Sequence, residues 1–299
     1  MRKITGETRL LVLLGNPVSH SLSPIMHNAA LEEMGINWCY LAIPCETNDL
    51  ETITSSLKRM DCKGINITIP HKKSVLTLCN EVSKIAKEIQ AVNTLIPHSQ
   101  LNWRGTNTDI EGFLEPLYNK NLQGKNAVVL GSGGSARAIV AGLRRLKLKN
   151  IIVLSRRLES LNMFLQDANQ SSKLTNNDTT LIKGIIPDKI KEIEHIESSQ
   201  LIVNTTPIGM KVLNEINPSM PFGEEIWHHL KEQTILYDLI YNPRPTHWLK
   251  LGSKKNCVII DGLEMLVRQG AASLKLWSGY KDIPIETMKI AAINHLNGK

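Results

Sequence analysis

The sequence predicts an α/β protein with two domains, on three observations. Short β-branched runs alternate with amphipathic segments along the whole chain, a rhythm typical of βα units with parallel strands. The length of 299 residues corresponds to about two domains, and 42% hydrophobic residues suffice for two buried cores. A polar break at residues 119–125 separates two series of predicted elements.

The first series contains five predicted strands, at residues 10–14, 38–43, 64–69, 91–97 and 101–106. Helices are expected to open near Pro24 and Asp49. Ser23 is the predicted N-cap of the first helix, with Pro24 at the first helical position, because proline lacks an N–H that would have no partner there.

The second series begins with a strand at 126–130 and a helix at 135–147. Its further strands are predicted at 150–154, 201–204, 234–238 and 257–260, and two helices at 263–277 and 285–296 close the chain. The polar stretch 167–178, rich in Asn, Ser and Thr, is predicted to be a loop without function.

Composition argues against several classes of protein. Five cysteines without a CxxC pair indicate neither a disulfide framework nor a zinc site, so no metal is expected. No run approaches the roughly 20 apolar residues of a membrane span, and no signal peptide is apparent, so we expect a cytoplasmic protein without a membrane partner.

The net charge of +7 raises the question of nucleic acid. The densest basic cluster, at 144–149, is interleaved with leucines, which is typical of the solvated end of an amphipathic helix. This favours a protein without a nucleic-acid partner. Modest positive charge also suits a small anionic substrate and a phosphorylated cofactor.

A glycine-rich turn follows the strand at 126–130. Gly131 permits a tight turn, Gly133 lets backbone N–H groups approach a pyrophosphate, and Ala136 allows the next helix to pack closely on the sheet. The predicted cofactor-binding residues of this turn are Gly131, Ser132, Gly133, Gly134, Ser135 and Ala136. Strand, glycines and helix occur in the order of a dinucleotide-binding fingerprint, although a merely tight βα turn is the alternative.

The end of the next strand bears on the choice of cofactor. An acidic residue there would bind the ribose 2′-hydroxyl of NAD, but this chain has Ser155, Arg156 and Arg157. A guanidinium can grip a 2′-phosphate with paired hydrogen bonds, which favours NADP. The alternative is that both arginines simply face solvent.

Three segments of the first third combine hydroxyls and amides with apolar strands, and they indicate a polar pocket at the strand ends. They are GNPVSHSLSPIMHN at 15–28, NITIPHK at 66–72, and Asn93 together with GTNTD at 105–109. Apart from His20, His27 and His71, only Lys72 and Asp109 in these segments suit proton transfer. Spacing alone leaves open whether Lys72 and Asp109 form a catalytic pair or a surface salt bridge.

These segments together resemble the shikimate dehydrogenase family, in order over nearly the whole chain. The series is completed by AVNTL at 91–95, GSGGSARA at 131–138, NTTPIGM at 204–210, YDLIYNPRPT at 237–246 and DGLEMLVRQGA at 261–271. The resemblance implies a substrate-binding domain at 1–108, completed by helices at 270–299, and an NADP-binding Rossmann domain at 109–269. It also implies an active-site cleft between the two domains.

The resemblance further implies reversible NADPH-dependent reduction of 3-dehydroshikimate to shikimate, with Lys72 and Asp109 as the catalytic pair. The implied substrate ligands are Ser21, Ser23 and Tyr241 for the carboxylate, and Thr68, Lys72, Asn93, Asp109 and Gln269 for the ring hydroxyls. Thr205, Met210, Leu239 and Gly262 would line the nicotinamide end of the cofactor site. A homodimer is possible.

Two departures from the family pattern bear on these implications. NADP-specific members commonly carry asparagine, arginine and threonine and then a further basic residue where this chain has Ser155, Arg156, Arg157 and Ser160. Either Arg157 takes over or the cofactor preference is relaxed. The region 158–196 matches no motif of the family.

The rival hypotheses are a quinate/shikimate dehydrogenase with relaxed substrate or cofactor use, and an idle relative that senses a ligand. The retained Lys72 and Asp109 argue against the sensor.

Overall fold

The structure, a computed structural model, describes residues 4–99, 102–172, 180–210 and 220–298. The chain divides into two compact units. Unit 1 comprises Met1–Gly112 and Leu266–Lys299, and unit 2 comprises Phe113–Met265. Within the described part of the chain, no helix combines the length and the apolar character needed to cross a membrane.

Twelve strands and eleven α-helices make up the described parts. The strands are β1 Arg9–Gly15, β2 Trp38–Pro44, β3 Gly64–Ile67, β4 Glu81–Val82, β5 Thr94–Ser99, β6 Asn102–Thr106, β7 Asn126–Leu130, β8 Asn150–Leu154, β9 Leu181–Ile185, β10 Leu201–Asn204, β11 Ile235–Asp238 and β12 Val258–Ile260. The helices are α1 Ser23–Glu33, α2 Leu50–Arg59, α3 Lys84–Ile89, α4 Asp109–Leu114, α5 Gly134–Arg145, α6 Leu158–Ser172, α7 Lys189–Glu197, α8 Glu224–Trp227, α9 His247–Lys254, α10 Gly262–Ser278 and α11 Ile285–Leu296.

Unit 1 is built on a mixed six-stranded sheet in the order β2-β1-β3-β5-β6-β4. Strands β1, β2 and β3 run parallel, whereas β5 is antiparallel to both β3 and β6. The carboxyl ends of β1, β3 and β6 therefore meet the amino end of β5 at one edge of the sheet.

Helix α10 returns to this sheet and packs closely on it. A Cβ at Gly64 would overlap the indole of Trp277, whose Nε1 donates a hydrogen bond to the carbonyl oxygen of Leu95 at 3.0 Å. At Gly270 an added Cβ would lie 2.6 Å from Met26 Cε. Glycines at both positions thus let α10 lie directly against β3 and α1.

Unit 2 contains a parallel six-stranded sheet in the order β12-β11-β10-β7-β8-β9. Strands β7, β8, β10 and β11 are almost entirely buried, which explains why each is a nearly continuous apolar run. The strand order reverses between β7 and β10, and this is the switch point at which doubly wound sheets bind ligands.

Most predicted strands are found, but several details differ. Helix α1 begins at Ser23 itself, with Leu22 as the N-cap residue, and because a leucine side chain has no acceptor the helix has no side-chain cap. The predicted N-cap is therefore wrong. Sequence reasoning also placed no strand where β4 and β9 occur, and no helix where α3, α4, α6, α7, α8 and α9 occur.

The predicted loop at 167–178 is wrong in its first part, because α6 continues to Ser172. Leu161 and Phe164 of this helix are buried, and Asp167 forms a 2.6 Å ion pair with Arg137 of α5. Apolar burial and this ion pair extend the helix into the polar stretch. Residues 173–178 of that prediction, and residue 101 at the start of the predicted strand 101–106, lie outside the described residues.

Candidate active site

Lys72 and Asp109 meet at the converging strand ends of unit 1. Lys72 follows β3, and Asp109 opens α4 after β6. The Nζ atom of Lys72 lies 2.7 Å from Oδ2 of Asp109, and the two side chains are 14% and 6% exposed. The pair is therefore a shielded ion pair and not one on the open surface.

Asn93 holds the second carboxylate oxygen of this pair. Its Nδ2 donates to Asp109 Oδ1 at 2.8 Å and to Thr108 Oγ1 at 3.0 Å, and it lies 3.5 Å from Oε1 of Gln269. Its Oδ1 accepts a hydrogen bond from the Thr108 backbone N–H at 2.9 Å. Both oxygens of Asp109 thus have a donor, and four of the predicted site residues form one connected group: Lys72, Asn93, Asp109 and Gln269.

The predicted boundaries at 108/109 and 269/270 would assign Asp109 and Gln269 to the second domain. In the structure both residues belong to unit 1. The physical reason is that their side chains contact Lys72 and Asn93, which lie on the first sheet.

A buried polar layer beneath this group was missed by sequence reasoning. Ser273, one helical turn after Gln269 on α10, contacts the side chains of Asn66, Thr94 and Thr108 at 3.0, 2.8 and 3.2 Å. Asn66 in turn accepts a hydrogen bond from the hydroxyl of Tyr40 at 2.8 Å. The signals in the sequence were Asn66, Thr94 and Thr108, which lie in the segments NITIPHK, AVNTL and GTNTD, whereas nothing indicated Ser273.

The predicted carboxylate ligands in unit 1 lie at the start of α1. Ser21 is partly buried, and its Oγ accepts a hydrogen bond from the backbone N–H of Ser23 at 3.2 Å. Thr68 follows β3 directly, and a Cβ at Gly15 would overlap its side chain. Glycine at position 15 therefore lets the end of β1 lie against Thr68. The third predicted carboxylate ligand, Tyr241, belongs to unit 2, where burial raises the pKa of its phenol.

Two of the histidines in these segments are fully buried and make contacts only within the protein interior. His27 is fully buried, stacks on Tyr40 at 4.1 Å between ring centroids, and its Nδ1 lies 2.9 Å from the carbonyl oxygen of Ser23. Burial lowers the pKa of His27 to about 4, so the ring is neutral at physiological pH. His71 is also buried, with Nε2 2.7 Å from the carbonyl oxygen of Cys45. Neither ring is exposed to a substrate.

The glycine turn of unit 2 has the geometry that its sequence predicts. Gly131 has φ +105°, and a Cβ there would lie 2.7 Å from Thr205 Oγ1. Gly133 is the N-cap residue of α5, and an added Cβ would meet nothing within 4 Å, so its backbone borders open space. Gly134 and Ser135 form the first turn of the helix, and Ala136 is fully buried. The N-terminus of α5 is thus accessible to an anion.

The residues after β8 lie beside this turn. Ser155 Oγ is 2.8 Å from Ser132 Oγ, which joins the glycine turn to the end of the next strand. Arg156 and Arg157 are both exposed. Their charges border the carboxyl edge of the sheet, where a phosphate on an adenosine ribose would be expected.

The other half of the same edge contains the predicted nicotinamide contacts. Thr205 follows β10 and donates its hydroxyl to the carbonyl oxygen of Leu130 at 2.7 Å, so it lies against the glycine turn. Met210 is partly buried in the loop beyond. A Cβ at Gly262 would overlap the carbonyl oxygen of Leu239, so these two residues are also in direct contact.

A parallel sheet with a glycine turn at its switch point defines unit 2 as a dinucleotide-binding unit of the Rossmann class. The family models for the shikimate dehydrogenase substrate binding domain and the shikimate 5'-dehydrogenase C-terminal domain match residues 13–95 and 262–292. Shikimate dehydrogenase (NADP(+)) of Prochlorococcus marinus strain MIT 9515 is 50% identical over 293 residues, covering 98% of this chain and 100% of the relative. The chain belongs to the shikimate dehydrogenase family.

Solved structures agree with this assignment. A shikimate dehydrogenase in complex with NADP+ matches with a TM-score of 0.85 and 33% identity, covering 98% of each chain. A quinate dehydrogenase from Corynebacterium glutamicum in complex with NAD matches with a TM-score of 0.84 and 25% identity, covering 96% of this chain and 99% of that one. The predicted α/β class, with a substrate domain and a Rossmann domain, is confirmed.

Proposed function

We propose that this chain catalyses the reversible NADPH-dependent reduction of 3-dehydroshikimate to shikimate, a step of aromatic amino acid biosynthesis. The observation that carries the proposal is the shielded pair of Lys72 and Asp109, with Asn93 on the second carboxylate oxygen. The relative with 50% identity is named for the same activity and cofactor.

The substrate ring is proposed to bind at the converging strand ends of unit 1. Ser21 and Ser23, with Tyr241, would donate hydroxyl hydrogen bonds to its carboxylate. Thr68, Asn93 and Gln269 would bind ring hydroxyls beside the catalytic pair. Such a site rejects analogues that leave its buried polar groups without partners, which is the basis of selectivity for a polyhydroxylated acid.

Proton transfer is proposed to pass through Nζ of Lys72. Both oxygens of Asp109 already accept hydrogen bonds, one from Lys72 and one from Asn93, whereas the ammonium has three N–H donors and uses one of them on Asp109. In the direction of reduction, Lys72 would donate a proton to the carbonyl oxygen as negative charge develops there. Asp109 keeps the ammonium aimed at that position, and in oxidation the proton returns to Nζ.

The cofactor is proposed to lie along the carboxyl edge of the sheet in unit 2. Backbone N–H groups of the glycine turn and of the first turn of α5 would face the pyrophosphate, and the open space beside Gly133 fits such an approach. The N–H of Gly131 is not among them, because it donates to the carbonyl oxygen of Leu154 at 2.7 Å. The 2′-phosphate would be bound by Ser155, Arg156 and Arg157. The nicotinamide end would contact Thr205, Met210, Leu239 and Gly262. When bound, NADPH supplies the hydride.

The proposal is tested by following nicotinamide absorbance with shikimate and with quinate, each with NADP and with NAD. Turnover chiefly with shikimate and NADP is the expected result. Turnover with quinate or NAD would favour the alternative, a quinate/shikimate dehydrogenase with relaxed substrate or cofactor use. The similarity to a quinate dehydrogenase in complex with NAD supports that alternative. The paired Ser21 and Ser23 argue against it, because they resemble the shikimate-selective pattern of the family. No turnover in any combination would contradict both.

A cytoplasmic location and a homodimer are separate proposals. Cell fractionation tests the location, and sedimentation of the purified chain tests the assembly state.

A further inference from the structure

Asp238 at the end of β11 is a buried carboxylate with an unusual number of donors. Its side chain is fully buried, and four hydrogen bonds reach its two oxygens. Oδ1 accepts from Nδ2 of Asn204 and from the backbone N–H of Ile240, both at 3.1 Å. Oδ2 accepts from the hydroxyl of Thr246 at 2.7 Å and from the indole N–H of Trp248.

The four donors come from two separate loops. Asn204 ends β10, and its own amide organises the loop that follows: Oδ1 accepts from the backbone N–H and the hydroxyl of Thr206, and Nδ2 donates to the carbonyl oxygen of Ile208 at 3.0 Å. Ile240, Thr246 and Trp248 belong to the loop after β11 and to the first turn of α9. One carboxylate therefore sets the amide orientation of Asn204 and ties both loops together.

These loops lie on one side of the switch point of the sheet. The glycine turn follows β7, and the loop after β10 begins with Thr205, which contacts the glycine turn. A dinucleotide bound across a switch point places one mononucleotide half on β7, β8 and β9 and the other on β10, β11 and β12. Asp238 therefore supports only the second half of such a site, and because its side chain has no exposed surface, it acts through the loops.

We propose that Asp238 is a positioning residue for the nicotinamide half of the cofactor, acting through Asn204 and Thr246 and contributing nothing to the adenosine half. This rests on the proposed function, since it presumes an NADP site on unit 2. Burial of an ionised carboxylate is costly unless every lone pair has a donor, and here the donors are the backbone and side chains that shape the site.

The test is Asp238→Asn, a replacement of equal size that turns one acceptor oxygen into a donor facing Thr246 or Trp248. Two ligands are titrated against the wild-type and variant proteins: NADP, and adenosine 2′,5′-bisphosphate, which carries only the adenosine half. We expect NADP affinity and the KM for NADP to worsen at least tenfold. Affinity for the bisphosphate and for shikimate should stay within twofold of the wild type.

A second pair of variants decides the matter where D238N does not fold. Thr246→Val removes one donor and should weaken NADP binding severalfold, whereas Thr246→Ser keeps the hydroxyl and should bind as the wild type does. Unchanged NADP affinity in D238N and T246V, or an equal loss for NADP and the bisphosphate, would overturn the positioning role. A wild-type protein that binds shikimate but not NADP would refute the proposed function itself, and the positioning role with it.

Discussion

Replacing Lys72 by methionine removes the ammonium and keeps most of the side-chain volume. If Nζ of Lys72 is the proton carrier, kcat should fall by about 10²- to 10⁴-fold, the usual contribution of a positioned acid or base. This corresponds to roughly 3 to 5.5 kcal/mol of transition-state stabilisation. The KM for shikimate should change little, because the other proposed ring ligands, such as Asn93 and Gln269, remain.

The same substitution leaves Asp109, which is 6% exposed, with Asn93 as its remaining side-chain donor. Because the partner of a shielded charge has been removed, we also expect a loss of stability on the order of 1 to 3 kcal/mol. Lys73→Met is the matched control, since Lys73 is the exposed neighbour in the same turn. The control should keep wild-type kcat within about twofold, as surface substitutions usually do.

The assay is steady-state oxidation of shikimate, followed at the nicotinamide absorbance, on Lys72→Met, Asp109→Asn and the double variant. Because the two side chains act as one hydrogen-bonded unit, the second substitution should cost less than tenfold beyond the first. Turnover of Lys72→Met within tenfold of the wild type, or fully additive losses in the cycle, would refute the assignment of the pair as proton-transfer machinery.

Three further predictions concern unit 2. Arg156→Ala should raise the KM for NADP by about tenfold or more and leave the KM for NAD unchanged, because only NADP carries the 2′-phosphate. An equal change for both cofactors in steady-state kinetics would show that Arg156 faces solvent. Gly131→Ala should lower the free energy of unfolding in urea by roughly 1 to 3 kcal/mol, since φ +105° and the nearby Thr205 hydroxyl both oppose a Cβ. Gly133→Ala is the matched variant, which should keep wild-type stability and lose NADP affinity. Burial raises the pKa of Asp238 from 3.8 to about 6, so the folded state binds more protons than the unfolded state between these pH values. The free energy of unfolding should therefore fall as the pH rises from about 4 to 6, by at most about 3 kcal/mol, and then level off. The groups that hydrogen-bond Asp238 are neutral, so the difference between wild type and Asp238→Asn isolates this carboxylate; a difference curve flat from pH 4 to 7 would contradict the shift.

The buried parallel strands were predictable because their sequence pattern is unambiguous. Strands β7, β8 and β10 occupy the predicted residues, since a parallel strand covered on both faces must be apolar throughout. Strand β9 was missed for the complementary reason. It lies at the edge of its sheet, and its residues are exposed or only partly buried, so no apolar run identifies it.

The glycine turn was also determined locally. Position 131 has φ +105° and no room for a Cβ, so it requires glycine. The helix that follows is likewise recognisable in the sequence as a run of helix-forming residues. The sequence therefore located the dinucleotide turn and the arginines after β8 by residue number, and the family motifs located the remaining candidate ligands.

The partners of those candidates were decided only by the tertiary structure. Lys72 and Asp109 are 37 positions apart, and Asn93 and Gln269 are 176 apart. Whether such residues form a shielded pair or two solvated charges depends on the register of β3, β5 and β6, which brings three chain segments to one edge of the sheet. In the same way, the four donors of Asp238 converge through the parallel alignment of β10 and β11 and the loop after β11. The sequence alone determined which chemical groups the chain carries and where the backbone must turn; burial and strand register, which are properties of the folded chain, decided which groups meet and how strongly they interact.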